Sequence, residues 1–325
     1  MAQFLLLNTH MQGITFQQSV RAALALIAMM GTMLGLNLTL AQAKLEPPVE
    51  SRSLTIWNRP VEYRLLIQEN SALKFDGEAF VKTHEGRRVN YVSLNRAFLK
   101  KEAEDLFLRF EKTGESMTGF PIPAKNQLMT LERELMISQG HVLSVGAKNS
   151  LRALQLHFEA LAWNPVYRDA LQGAASRQAA LNRFTEKFIQ IRSRAIEYHE
   201  ASHLIDIAEA VETESQAFEK YTELNAFYTE LAYGDNPYDV LSQGLVGLRD
   251  EMNRGGSVDY SLEKVLAILR FLRECPLYAK AFRGPMAKCC LEILARLQRR
   301  DLILAGETLY RENTGHFRLA LVSMR

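Results

Sequence analysis

Two of the seven histidines in this 325-residue chain flank Glu200 in the run His199-Glu200-Ala201-Ser202-His203. On a helix, side chains four residues apart project from one face, one turn above the other. Two imidazoles so placed can bind one Zn²⁺. Glu200, about a quarter-turn round, can hold a water at the metal and take its proton. A catalytic zinc keeps one position open and needs a third protein ligand. The next segment offers carboxylates at Glu219 and Glu223, one turn apart on a common face. The chemistry such a centre performs is attack of an activated water on a polarised carbonyl. It also requires an orienting acceptor for each imidazole, for which Asp206 and Glu219 are candidates. A donor for the tetrahedral oxyanion is needed too, and Tyr228, Tyr233, Tyr238 and His316 are candidates.

The helices that would carry these residues are legible. No Gly or Pro occurs from Ala174 to Ala232. Leu181, Phe184, Phe188, Ile191 and Ala195 recur at three- and four-residue spacing, which predicts a helix over 177–210 buried along that stripe. A second helix is expected over 213–232, ended by Gly234-Asp235-Asn236-Pro237.

His199-Glu200-x-x-His203, followed after nineteen residues by Glu223 and then Ala226, resembles the gluzincin clan of zinc metallopeptidases, thermolysin-like enzymes among them. That resemblance covers about twenty-five residues. It implies that His199, His203 and Glu223 are the metal ligands, with Glu200 as general base and water as the open fourth ligand. It favours Glu223 over Glu219. The metzincin pattern is excluded, because it needs a glycine and then a histidine where this chain has Asp206 and Glu209. No counterpart of the clan's downstream His or Tyr motif is found. The expected function is therefore an exported zinc-dependent metallopeptidase-like hydrolase acting on a peptide or protein. The alternative is a non-catalytic zinc-binding envelope protein on a zincin-like fold, serving as scaffold or binding module. In a further alternative a fourth protein ligand such as His316 closes a structural zinc site.

The remaining chain predicts an α+β, mostly helical fold. Runs rich in β-formers at Leu54–Trp57, Val61–Ile67 and Arg88–Leu94, separated by turn residues such as Asp76-Gly77 and Glu85-Gly86, predict a small sheet or hairpins. Lys44–Ser53 reads as a linker. Helices are expected over 97–112, 127–138, 149–163 (stopped by Asn164-Pro165), 262–274, 285–299 and 302–310. The expected organisation is an N-terminal segment over 1–43, a strand-rich region over 44–125 and a mostly helical, zincin-like domain over 126–325.

Composition bounds the function further. The chain is 47% hydrophobic and 23% charged, with a formal net charge of +2. Lys and Arg mostly alternate with Asp and Glu, so binding to nucleic acid through bulk charge is excluded. Arg21 is followed by an uncharged stretch over 22–43 that ends in Ala41-Gln42-Ala43. A positive residue, an apolar run and a small-x-small end predict a secretory signal peptide cut after Ala43, hence a periplasmic or secreted protein. The alternative is an uncleaved anchor, which would be its membrane contact. Cys275 could pair with Cys289 or Cys290 in an oxidising compartment, or all three could be buried thiols. The spacing of the other histidines suggests packing for His157 and exposure for His84 and His141.

Overall fold

The computed structural model describes residues 49–69, 76–113, 122–138, 143–209, 215–254, 260–283 and 287–323. The N-terminal segment 1–43 lies outside the described residues, and so do the side chain of His316 and residue His141. Pro47–Arg325 form one compact unit. It is mostly helical, with a small four-stranded sheet at its N-terminal end.

The sheet comprises β1 (Val49–Ile56), β2 (Arg59–Gln68), β3 (Gly77–His84) and β4 (Arg87–Asn95) in the order β1-β2-β4-β3. β1 and β2 are antiparallel, as are β3 and β4, while β2 and β4 run parallel with Leu65 opposite Val92. Both hairpins turn on two residues with positive φ, Trp57 (51°) with Asn58 (62°) and Glu85 (50°) with Gly86 (78°). Such turns match the right-handed twist of the strands. Trp57 tolerates this backbone because its side chain is anchored. Its backbone N–H donates to Tyr233 Oη at 3.0 Å, its Nε1 donates to Thr229 Oγ1 at 2.9 Å, and its ring stacks on Tyr310 at 4.1 Å.

The helices are α1 (Arg96–Thr113), α2 (Lys125–Ser138), α3 (Val145–Leu171), α4 (Arg177–Glu209), α5 (Gln216–Tyr233), α6 (Pro237–Arg254), α7 (Ser261–Glu274), α8 (Cys290–Leu294) and α9 (Arg299–Ser323), with a 3₁₀ segment over Pro276–Phe282. The 33-residue α4 contributes to two of the buried clusters. Its N-terminal half buries Phe184 and Phe188 against Phe107 and Phe110 of α1 and Trp163 of α3. Its C-terminal half buries Ile196, Ala201, Leu204 and Ile205 against Ile56, Val61, Leu65, Val92 and Leu94 of the sheet. Each fully buried Phe or Leu of this kind contributes roughly 2 kcal/mol. A third cluster joins α2, α3 and α5–α9 around Leu128, Phe158, Leu241, Val265 and Leu291.

Several elements differ from those the sequence predicts. The segment read as a linker enters β1 at Val49. Gly77, read as part of a turn, opens β3, whose apolar residues Ala79, Phe80 and Val81 are consecutive because it is a half-exposed edge strand lacking alternation. α3 continues through Pro165 to Leu171. Asn236 Nδ2 donates to the Ala162 carbonyl at 2.9 Å in the turn that the proline disrupts. α6 was hidden by Pro237, Gly244 and Gly247. Pro237 occupies the first helical position, where its missing N–H costs nothing. The glycines permit close approach, since a Cβ on Gly244 would press on Phe227 and one on Gly247 would collide with Ser261 Oγ. Of the helix expected over 285–299, the described residues retain only the short α8, while the expected 302–310 helix extends over 299–323. All three cysteines are free, with Cys290 buried.

Candidate metal centre

α4 brings His199 and His203 onto one face, their ring centroids 5.1 Å apart. α5 crosses that face. Small side chains lie at the crossing: Ser202 of α4 and Thr229 of α5 are buried, and their hydroxyls lie 3.2 Å apart. Ser215 caps α5 by accepting from the Phe218 N–H at 3.1 Å. On its far side, Gly306 of α9 packs so near the Tyr228 carbonyl that a Cβ there would lie 2.7 Å from it.

This crossing places Glu223 beside the histidines. One ligand atom each from His199, His203 and Glu223 lie within 4.8 Å of one another, a group that could hold a metal ion. Two imidazoles and a carboxylate form a donor set suited to a borderline divalent cation. Glu223 Oε1 is 3.5 Å from His203 Nε2, and its other oxygen, Oε2, accepts from Lys264 Nζ at 3.1 Å. Glu219, one turn earlier, is exposed and bonds the Tyr260 hydroxyl instead.

The groups around the ligands differ from those expected. Asp206 does not orient an imidazole: both of its oxygens accept from Asn225 Nδ2 at 3.1 Å, and Asn225 Oδ1 accepts in turn from Asn313 Nδ2 at 2.9 Å. The acceptor for His199 is Glu230, whose Oε2 lies 3.1 Å from Nδ1 and leaves Nε2 for a ligand role. Glu230 lies two turns beyond Glu223 on the same face of α5, a seven-residue spacing that sequence could have offered. It belongs to a buried network centred on Arg192, two turns before His199. Arg192 Nη1 lies 3.0 Å from Asp239 Oδ2 and 3.8 Å from Glu230 Oε1, while Nη2 lies 2.7 Å from Asp76 Oδ2. Trp163 Nε1 donates to the other Asp239 oxygen at 2.8 Å.

Glu200 faces the edge strand. The Ala79 N–H donates to its carboxylate, and Gly77 sits so close that a Cβ would collide with Ile196 Cγ2 and lie 3.4 Å from Glu200 Oε1. The Asp76–Arg192 pair ties the start of β3 to α4 in the same place. Glu197, two residues before His199, anchors the rest of the sheet: it accepts from Tyr63 Oη at 2.6 Å and from Arg52 Nη1 at 2.8 and 2.9 Å.

Protonation follows from these contacts. Burial opposes charge on His199, but the Glu230 hydrogen bond and the charges of Glu200, Glu230 and Glu223 outweigh it and raise its pKa to about 9. Burial and the charge on His199 push His203 down to about 4. Burial raises Glu200 to about 7. Burial would also raise Glu223, yet the Lys264, His199 and His203 charges hold it at about 2. At neutral pH these shifts favour a charged His199, a neutral His203 and an ionised Glu223.

Of the oxyanion-donor candidates, Tyr238 Oη donates to the Leu297 carbonyl at 3.2 Å and Tyr228 is buried in the helical core, while Tyr233 Oη accepts from the Trp57 N–H and keeps its own O–H to donate. His157 Nε2 lies 2.9 Å from the Ala295 carbonyl, and His84 is exposed at the end of β3. No protein-family model matches the chain, and comparison with curated proteins and with solved structures returned no match.

Proposed function

We propose that the protein is an exported zinc-dependent, metallopeptidase-like hydrolase of gluzincin type, with His199, His203 and Glu223 as zinc ligands and Glu200 as general base. The observation that carries this reading is the meeting of the three donors from two helices, with Glu200 close enough to feel the charges of His199 and Glu223. When bound, zinc would polarise a substrate carbonyl and acidify the attacking water. Glu200 takes the proton from that water, steadied by the Ala79 N–H. Glu230 fixes the His199 ring, and Lys264 fixes Glu223.

The edge strand supports a peptide as substrate. The Asn95 N–H donates to the Asp76 carbonyl, so the bonded pairs of the β3–β4 ladder continue through Glu78–Ser93 and Phe80–Tyr91. The N–H and C=O groups of Gly77, Ala79 and Val81 consequently point away from β4; the Ala79 N–H is held by Glu200, and the groups of Gly77 and Val81 line the same edge. An extended peptide can pair with such an edge. Export rests on the N-terminal reading of the sequence. Among the described residues no helix is long and apolar enough to cross a membrane.

The engagement of the Tyr238 hydroxyl with the Leu297 carbonyl and the burial of Tyr228 in the helical core favour a second reading, a zinc-binding envelope protein of the same fold without turnover. The two readings separate on cleavage of a broad peptide library by zinc-loaded wild type and Glu200→Gln. Cleavage that Glu200→Gln abolishes supports the hydrolase. A zinc-loaded wild type that cleaves nothing supports the second reading.

A further inference from the structure

Lys264 is a buried ammonium, its side chain 8% exposed, and its position is set by the way α7 begins. Glu251 of α6 accepts from the Ser261 and Leu262 N–H groups at 2.8 and 2.9 Å, capping the first turn. Gly247 lets α6 approach Ser261 closely. The lysine one turn on is thereby aimed at α5. There Nζ meets Glu223 Oε2 at 3.1 Å and lies 5.7 Å from the centre of the Phe227 ring. The carboxylate is thus divided: Oε2 faces the ammonium, and Oε1 faces His203 Nε2.

We propose that Lys264 is a positioning residue that restricts Glu223 to a single ligand oxygen, Oε1, and places a compensating positive charge behind it. This rests on the metal-centre reading above. A carboxylate that binds through both oxygens fills a coordination position, whereas one held to a single oxygen leaves that position for water and substrate. The ammonium also draws electron density from Glu223, so a bound dication keeps more of its charge for the substrate. The arrangement gives up metal affinity in return, because a cation hydrogen-bonded to the other oxygen of the same carboxylate repels the metal.

The test compares the mature protein with Lys264→Met, which removes donor and charge at nearly constant volume, and Lys264→Gln, which keeps a donor for Oε2 without the charge. Zn²⁺ affinity is measured by competition with a chromophoric chelator, and the visible spectrum is recorded with Co²⁺ in place of zinc. Lys264→Met is expected to bind Zn²⁺ about ten- to a hundredfold more tightly, from the charge removed. Its Co²⁺ bands are expected to weaken as Glu223 becomes bidentate. Lys264→Gln is expected to bind more tightly with bands close to wild type, and it carries the test if Lys264→Met fails to fold. Unchanged or weaker Zn²⁺ binding by the variants, with a metal-binding wild type, overturns the role of Lys264 and leaves the metal centre standing. A wild type that takes up neither ion overturns both.

Discussion

His199 Nδ1 lies 3.1 Å from Glu230 Oε2, so the first histidine of the motif is oriented from the neighbouring helix and not from its own. The contact fixes which ring nitrogen faces Glu223 and gives His199 its raised pKa.

Glu230→Gln should therefore lower metal affinity. An orienting carboxylate contributes roughly ten- to a hundredfold to binding. Chelator competition at pH 7 should show a loss of that size, with the far-ultraviolet circular dichroism retained. An unchanged affinity would mean that Glu230 serves only the Arg192 network.

Metal uptake should release a proton. His199 has a pKa of about 9 without metal and must be neutral to act as a ligand, so affinity should rise as pH goes from 6 to 8, by about tenfold per unit. The folding consequence has the opposite sign. A raised imidazole pKa stabilises the metal-free protein below about pH 6.5, and that contribution is lost as pH rises through about 9. Calorimetric titration in buffers of different ionisation enthalpy reads the released proton, and a heat independent of buffer would contradict this assignment.

Arg192→Met should be severely destabilising. It leaves Asp239 and Glu230, both under a tenth exposed, without their cation, together with Asp76. Removing one partner of a buried ion pair costs about 3–5 kcal/mol, to be read from urea denaturation. A loss below about 1 kcal/mol would show that the network contributes little.

Gly77→Val should damage the contact between edge strand and helix. A Cβ at this position collides with Ile196 Cγ2, so β3 or α4 must shift, at a cost of about 1–3 kcal/mol. Thermal denaturation should show the loss, and any peptide cleavage should fall through displacement of the strand from Glu200.

Residues whose meaning is local were legible in the sequence. His199, Glu200 and His203 declare a shared helical face by spacing alone, and the unbroken run to Glu223 put the third donor on the next helix. Glu230 and Lys264 were hidden for different reasons. Glu230 has the spacing but acquires its role only from the angle at which α5 crosses α4. Lys264 lies 41 residues from Glu223 and reaches it only because Glu251 and Gly247 fix the start of α7. Asp206 was a candidate orienting acid, yet both of its oxygens accept from Asn225 of the neighbouring helix. Strand β3 lacked alternation because its two faces are neither clearly buried nor clearly solvated.

Metal content decides whether His199, His203 and Glu223 form a metal centre. Wild type and Glu219→Ala and Glu223→Ala variants would be purified, dialysed against limiting chelator and assayed for zinc by elemental analysis. One zinc per chain is expected in wild type and Glu219→Ala, and a loss in Glu223→Ala. A wild type without metal would contradict it, and so would zinc retained by Glu223→Ala.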